Sequence, residues 1–373
     1  MGKIYTALGL MSGTSMDGVD ASIIQTDGKH EYKAILDKYF EYPKTIYNNL
    51  TTLRDKIKSS KDLKKHLKQI KSVEKEITIF HAESVNKILK KTTANVDYIG
   101  FHGQTIFHNA EEKITKQLGN GKLLSKLTKK KVVYDFRKND LKNGGQGAPL
   151  TPIFHEMLAE KFKIKPASFY NIGGIVNQTT IWGDGALSGE DLGPGMCLID
   201  QCVRTKFKKK YDINGSIAKS GKVNKKILDK AKKIFFFNIY NPPITGRSFD
   251  IKDFDDSFVK SLSYKDRVAT LTEYTAQIML QHFNFYGTLY DEWQNHKIVL
   301  CGGGRKNKFL INKFKKEKYI FNLIDDFGID GDFVESQAFA YIAIRSYLKL
   351  PISFPHTTGC IKPSTGGVII KNF

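Results

Sequence analysis

Long apolar runs are missing from this sequence. No stretch of about 18 apolar residues occurs, so no transmembrane helix is expected. Cysteine is scarce. Cys197, Cys202, Cys301 and Cys360 form no C-x-x-C pair, and no histidine cluster stands at zinc spacing, which argues against a disulfide framework and a structural zinc site. Scattered thiols in a chain of 373 residues point to a reducing cytoplasm. The amino terminus, MGKIYTALGLMSGTSMDG, has no small-residue cleavage site after its short apolar run, which argues against a signal peptide. MGKIYT fits the loose myristoylation pattern, but residues 4–10 read as a strand built into a sheet. There is no G-x-x-x-x-G-K-[ST] and no G-x-G-x-x-G after a first strand, so a P-loop nucleotide site, a Rossmann dehydrogenase and a protein kinase are disfavoured. No internal repeat and no low-complexity linker is present.

Acidic residues are also few, 38 against 59 Lys and Arg, for a net charge of +21. The basic stretches Lys129–Lys131, Lys206–Lys210, Lys222–Lys233 and Lys313–Lys318 are dispersed, and only Phe207 and Phe314 interrupt them, too few for a base-stacking platform. We read them as solvated basic faces, with neither a nucleic acid nor a membrane as partner. The positive field still favours capture of an anionic small molecule.

The chain exceeds the ~250–300 residues at which one core stops growing, so two lobes are expected. Ile4–Leu10 and Val19–Thr26 read as strands, the second alternating Val19, Ala21 and Ile23 against Asp20, Ser22 and Ile24. Residues 44–92 read as helical. Val96–Phe101 and Lys131–Asp135 read as strands, 139–149 as a Gly-rich loop and 150–162 as a helix. Ala167–Tyr170 and Val176–Trp182 are predicted strands, Asp191–Gly195 a turn opening a helix with Leu198, Ile199, Cys202 and Val203 on one face. Helices are expected over 263–286 and 333–349, and a strand over Lys297–Cys301 with a helix from Asn307. Hairpins followed by alternating helices and strands predict two α/β lobes with mixed sheets. The lobe boundary is placed at 135/136, giving lobes 1–135 and 136–356, with 357–373 packing back on the first.

One device recurs: a strand end, a Gly-rich turn, then a strand or helix. It occurs at Gly13-Thr14-Ser15-Met16-Asp17-Gly18, at Asn171-Ile172-Gly173-Gly174, at Asp191-Leu192-Gly193-Pro194-Gly195 and at Gly302-Gly303-Gly304. Glycine lets backbone N–H groups approach an anion, and helix N-termini favour negative charge. Thr14 and Ser15 add hydroxyl donors, and Asp17 is placed to hold a hydrated Mg²⁺ bridging phosphate oxygens. A glycine at a strand end is as often a mere turn residue, so the weight lies in the four together. His102 and His108 read as buried hydrogen-bonding groups, since no third metal ligand is evident. Gln104 can reach either a substrate or the backbone. Arg137 can be a surface ion pair with Asp135 or Asp140, Glu335 a solvent-facing residue of a first helical turn, and Asp191 a helix N-cap.

The segments GLMSGTSMDGVD (9–20), FHGQT (101–105), DFRKND (135–140), GGQGAPLTPIFH (144–155), NIGGIVNQT (171–179), DLGPG (191–195), CGGG (301–304) and FVESQAFAYIAIRS (333–346) resemble the motif series of anhydro-N-acetylmuramic acid kinases. The likeness runs from about residue 5 to about residue 368. It implies two actin-like (ribonuclease H-like) lobes with a nucleotide cleft between them, ATP and Mg²⁺ as cofactors, a small amino-sugar substrate and a possible homodimer. It implies hydrolysis of the 1,6-anhydro bridge of 1,6-anhydro-N-acetylmuramic acid with phosphorylation of O6. By the same likeness Asp191 is the base that activates water, and Arg137, Glu335 and Gln104 contact the sugar. Gly13, Thr14, Ser15, Met16, Asp17, Gly18, Val19 and Asp20 form a first phosphate loop. Asn171, Gly173 and Gly174, with Gly193 and Gly195, form a second, and Gly302, Gly303, Gly304 and Asn307 lie by the adenosine. Where the family has DTGPGN, this chain has Leu192 and Met196, so a hydroxyl beside the base and an amide near the phosphate turn are expected to be missing. The ending keeps a TTG motif at Thr357–Gly359. Another sugar or carboxylate kinase of the same superfamily, or a non-catalytic nucleotide- or nucleic-acid-binding protein, are the alternatives.

Overall fold

The computed structural model describes residues 2–240, 248–289, 295–317 and 319–371. In chain order its strands are β1 (Tyr5–Ser12), β2 (Gly18–Thr26), β3 (Tyr32–Glu41), β4 (Tyr98–Asn109), β5 (Ile114–Leu118), β6 (Lys131–Tyr134), β7 (Ala167–Ile172), β8 (Ile175–Ile181), β9 (Leu187–Pro194), β10 (Lys297–Cys301), β11 (Phe321–Leu323) and β12 (Val368–Ile370). Its helices are α1 (Lys44–Lys56), α2 (Ser60–Lys65), α3 (Leu67–Leu89), α4 (Gly121–Thr128), α5 (Lys138–Lys142), α6 (Pro152–Lys161), α7 (Cys197–Phe207), α8 (Ser216–Ser220), α9 (Lys225–Tyr240), α10 (Tyr264–Leu289), α11 (Lys308–Lys316), α12 (Val334–Tyr347) and α13 (Pro355–Thr358).

Two sheets carry one topology. In the first, β3-β2-β1 are antiparallel neighbours and β4 and then β6 add in parallel, with β12 beyond and β5 paired to β4. In the second, β9-β8-β7 are antiparallel and β10 and then β11 add in parallel. Each is thus the mixed sheet of an actin-like lobe. The pairwise correspondence β1/β7, β2/β8, β3/β9, β4/β10 and β6/β11 is a duplication with no counterpart in the sequence, where no repeat is visible.

The residues group into two compact units, Met1–Lys163 with Asp332–Phe373, and Ile164–Gly331. These bounds differ from the lobes 1–135 and 136–356 expected from the order of strands and helices. Helix α6 stays with the first unit because Phe154 packs its ring on Tyr32 and Tyr341, at 5.4 and 5.6 Å between centroids. Helix α12 lies along β1, β2 and β4. The Gly-rich loop at 139–149, expected to lie just past the lobe boundary, belongs to this unit.

Strand β1 is buried along its whole length, as a central strand covered on two faces must be. On one face Leu8 and Leu10 pack with Leu50 and Leu53 of α1 and with Val73, Ile77 and Val85 of α3. On the other, glycine lets α12 come down onto the sheet: a Cβ at Gly9 would stand 1.8 Å from the Ser336 carbonyl, and one at Gly100 2.2 Å from that of Phe339. The second unit closes on an apolar cluster from β7, β8, β10, α7, α10 and α11, including Ile172, Val176, Ile199, Leu271, Met279, Leu300 and Phe314.

Strands β3 and β5 were not expected. β3 is an edge strand whose side chains are mostly half-buried or exposed, so its sequence lacks a strong apolar face. The motif after Phe101 does not end β4, which runs on to Asn109 because β5 pairs with it. The expected turn at Asp191–Gly195 belongs to β9 as far as Pro194.

Candidate active site

In the first unit the β1–β2 turn is tied from three sides. The Met16 N–H donates to the Gly13 carbonyl (3.2 Å), the Tyr42 N–H and the Tyr39 hydroxyl donate to the Asp17 carbonyl, and Gln104 Nε2 on β4 donates to the Gly13 carbonyl at 3.0 Å. Met16 holds a left-handed conformation, φ +57°, and buries its side chain. That conformation leaves Thr14 and Ser15 exposed at the tip, with the Ser15 hydroxyl donating to Asp17 Oδ1. Gln104 therefore reaches the backbone, and its buried Oε1 has no hydrogen-bond partner among the described residues. Gly18, Val19 and Asp20 lie in β2. Val19 is a core side chain, and a Cβ at Gly18 would strike the Phe40 carbonyl at 2.5 Å.

Arg137 stands at the start of α5. Its Nε and Nη2 donate to His102 Nε2 at 3.1 and 3.0 Å, and its Nη1 donates to the Gly147 carbonyl at 2.7 Å. His102 is buried, and its Nδ1–H donates to the Gly103 carbonyl. Burial first, and the guanidinium second, hold its pKa well below the usual imidazole range. Asp135 pairs with Lys138 at 2.6 Å, and Asp140 is buried among backbone and hydroxyl donors. Glu335 is a half-buried residue in the first turn of α12. Its neighbour Ser336 is pinned to Ser22 through their hydroxyls at 2.6 Å.

In the second unit the β7–β8 turn and the start of α7 interlock. The N–H groups of Gly195, Met196 and Cys197 donate to the Gly174, Gly173 and Gly174 carbonyls, and Thr275 of α10 donates its hydroxyl to the Gly195 carbonyl. A Cβ at Gly195 would lie 2.4 Å from the Gly173 carbonyl, and one at Gly193 2.6 Å from the Phe235 ring. Asp191 is buried on β9, and its Oδ2 accepts the Phe249 N–H at 2.8 Å. It is not a helix N-cap: α7 starts at Cys197 and its N-cap is Met196. Between Val176 and Asn177 the register shifts so that they face Gly193 and Asp191, which makes Leu192 a bulge residue. Leu192 and Met196 both turn into the apolar cluster of this unit. The departures at these positions are therefore core residues.

The β10 turn is clamped by Arg305. Its guanidinium binds Asp325 through Nε (2.6 Å) and Nη2 (2.8 Å), Asp330 through Nη2, and the Gly302 carbonyl through Nη1. The hydrogen bonds from Arg305 hold the Asp325 carboxyl below its usual value. Asn307 caps α11, its Oδ1 accepting the Leu310 N–H, while its buried Nδ2 has no hydrogen-bond partner among the described residues.

The turn glycines fall into two sets. At Gly18, Gly193, Gly195, Gly302 and Gly304 a Cβ would collide with protein atoms at 2.6 Å or less. Among the described residues nothing stands within 4 Å of a Cβ at Gly303, only the Ser15 hydroxyl at 3.9 Å of one at Gly13, and nothing nearer than 3.5 Å of one at Gly173, and none of these three has a positive φ. The fold does not require glycine there. Gly13 and Gly173 occupy the same place in the two sheets, the turn after the first strand. A cavity of about 290 Å³ in the first unit contains none of the predicted site residues, and its Lys116–Glu74 and Lys138–Asp135 pairs satisfy one another.

The sequence marked His102 as a buried hydrogen-bonding group, but its pairing with Arg137, the loop contacts of Asp140, and the roles of Thr275 and of the Phe249 backbone N–H had no signal there. Thr358, which donates to Asp140, was visible as part of the TTG ending.

Comparison with known proteins is consistent along the whole chain. The family model described as anhydro-N-acetylmuramic acid kinase matches residues 5–372. Curated proteins bearing that name match over their full length. One from Pelagibacter ubique (strain HTCC1062) is 54% identical over 381 aligned residues, covering 100% of each chain. One from Rhizobium johnstonii is 37% identical with 99% of each covered, and one from Agrobacterium fabrum 34% with 100% of each covered. A superposition on the crystal structure of ethanolamine utilization protein EutJ from Carboxydothermus hydrogenoformans covers 91% of this chain and 90% of that one, with a TM-score of 0.42 and 10% identity.

Proposed function

We propose roles for these residues from one premise: the chain belongs to the anhydro-N-acetylmuramic acid kinase family. It is an ATP-dependent kinase of cell-wall recycling. It hydrolyses the 1,6-anhydro bridge of 1,6-anhydro-N-acetylmuramic acid and phosphorylates O6, giving N-acetylmuramic acid 6-phosphate and ADP.

The observation that carries the nucleotide assignment is the set of open glycines. Bare backbone at Gly13, Gly173 and Gly303, unneeded for folding, leaves room for a ligand to approach main-chain N–H groups. In this reading Gly13–Asp20 and Asn171–Gly174 receive the phosphates. Gly193, Gly195, Gly302 and Gly304 hold the turns in shape. Asn307 offers the adenosine its Nδ2–H, which has no partner among the described residues. Val19 contributes backbone only. Asp17, with the Ser15 and Thr14 hydroxyls, is a hard oxygen set that suits Mg²⁺ held through water, and the ion would offset phosphate charge. A cytoplasmic setting accords with the free cysteines.

Asp191 acts as the general base. Its carboxylate, oriented by the Phe249 N–H, takes the proton of a water attacking the anomeric carbon. The C1–O6 bond breaks as O6 becomes the phosphoryl acceptor, so phosphoryl transfer replaces the acid an ordinary glycosidase needs. Direct attack by water inverts the anomeric centre. Arg137 takes the lactyl carboxylate with its planar fork, and Glu335 and the Gln104 Oε1 accept sugar hydroxyls or amide N–H.

The test is ADP release with Mg-ATP and 1,6-anhydro-N-acetylmuramic acid in ¹⁸O-water. Sugar-dependent ADP with label on the anomeric oxygen supports the reading. Label on phosphate, or ADP at the same rate without sugar, overturns it.

A further inference from the structure

His102 has a partner set that fixes its chemistry. A carbonyl can only accept, so the 2.9 Å contact between Nδ1 and the Gly103 carbonyl places the proton on Nδ1. Nε2 then presents a lone pair, and Arg137, which can only donate, directs both Nε and Nη2 at it. The imidazole lies against the Phe339 ring at 4.5 Å between centroids, so α12 holds its plane. The other end of the guanidinium donates to the Gly147 carbonyl. Gly147 is itself fixed by its N–H to Asp140 Oδ2 at 2.6 Å and by a left-handed φ of +75°. One guanidinium is thus gripped at Nε and Nη2 by a ring nitrogen and at Nη1 by a carbonyl, which sets both its position and its plane. A lysine ammonium has no plane to set.

We propose that His102 is a positioning residue for the sugar: as the Nδ1–H tautomer it orients Arg137 so that the guanidinium meets the substrate carboxylate in one geometry. This rests on the assignment of Arg137 to the sugar. Orientation of a bidentate donor stabilises bound substrate and transition state alike, so its loss falls on KM for the sugar rather than on kcat.

Steady-state kinetics and ¹⁵N NMR test it together. His102→Leu keeps the bulk and removes the acceptor. KM for the anhydro-sugar should rise about 10- to 100-fold, the range for a hydrogen bond to a charged group, with kcat and KM for ATP within about threefold of wild type. His102→Gln returns an acceptor oxygen near the Nε2 position and should recover most of that loss. In the wild-type protein the His102 ¹⁵N shifts should report a protonated Nδ1 and a bare Nε2, a readout that stands if His102→Leu fails to fold. A folded His102→Leu with unchanged sugar KM, or a protonated Nε2, overturns the proposal. Arg137→Ala separates it from its premise. An unchanged sugar KM there removes the premise and the proposal with it. A raised KM in Arg137→Ala beside an unchanged one in His102→Leu overturns the positioning role alone.

Discussion

The Thr358 hydroxyl donates to Asp140 Oδ1 at 2.7 Å across 218 residues of sequence, and both side chains are buried. Asp140 Oδ2 in turn accepts the Gly147 N–H, and the Gln146 N–H donates to the Thr358 carbonyl. The carboxy-terminal TTG segment therefore fastens the GGQGAP loop, whose Gly147 carbonyl holds Arg137.

Thr358→Val should lower stability by about 1–3 kcal/mol, since it leaves a buried carboxylate short of a donor. Thr358→Ser should keep most of it. Urea denaturation measures the difference. Because the loop carries an Arg137 acceptor, KM for the sugar should rise more than KM for ATP.

The open glycines predict a dissociation of binding from folding. Gly13→Ala, Gly173→Ala and Gly303→Ala should each leave stability within about 1 kcal/mol of wild type, or slightly raise it by restricting the unfolded chain. KM for ATP should rise in each. Gly195→Ala and Gly304→Ala, with collisions at 2.4 and 2.2 Å, should destabilise by about 1–3 kcal/mol. Thermal melts beside ATP titrations distinguish the two sets, and equal losses of stability in both would refute the division.

Asp191→Asn should reduce kcat by about 10²- to 10⁴-fold, the usual contribution of a general base, with KM for ATP little changed, because an amide oxygen can still accept the Phe249 N–H. Leu192→Thr restores the family hydroxyl but places it in the apolar cluster. It should cost about 1–3 kcal/mol and give no gain in rate. A faster enzyme carrying Leu192→Thr would show that this side chain faces the chemistry after all.

Acid should weaken the fold well above the carboxylate range. Burial holds His81 at about 4 and His155 at about 3, and His102 also lies well below the ordinary value near 6.5. Between the folded and unfolded values the unfolded chain binds more protons, so stability is complete above about pH 6.5 and falls as pH drops through it. Each histidine contributes about 1.4 kcal/mol per pH unit until its folded value is reached. Asp325, held low by the Arg305 hydrogen bonds, adds a loss of the same sign only below its unfolded value near 3.9. Melting temperatures at pH 7.5, 6 and 5 should fall progressively, and His155→Gln should flatten the slope. A constant melting temperature down to pH 5 would contradict this.

The central strands and the long helices were legible because burial imposes a period on the residues. β1 and β2 are apolar where the sheet is covered, and α3 and α10 carry long runs. β3 and β5 were not, since an edge strand half in water needs no apolar face and its identity comes from its neighbour. Asp191 was expected in a turn and lies in a strand, because Gly-Pro-Gly reads as punctuation while the pairing with β8 carries β9 to Pro194. Arg137 was read as a candidate ion pair with Asp135 or Asp140, but those carboxylates are taken by Lys138, Thr358 and backbone N–H groups.

The sequence by itself determined the family and the order of the Gly-rich turns, since these are local strings whose spacing survives without contacts. Tertiary structure alone decided which glycines are packed and which are open, that Leu192 and Met196 face the core, that the two sheets repeat one topology, and that Thr358 and His102 support the loop and the arginine. Each of those depends on atoms brought together from distant positions in the chain, and a hydrogen bond across 218 residues leaves no mark in any short window of sequence.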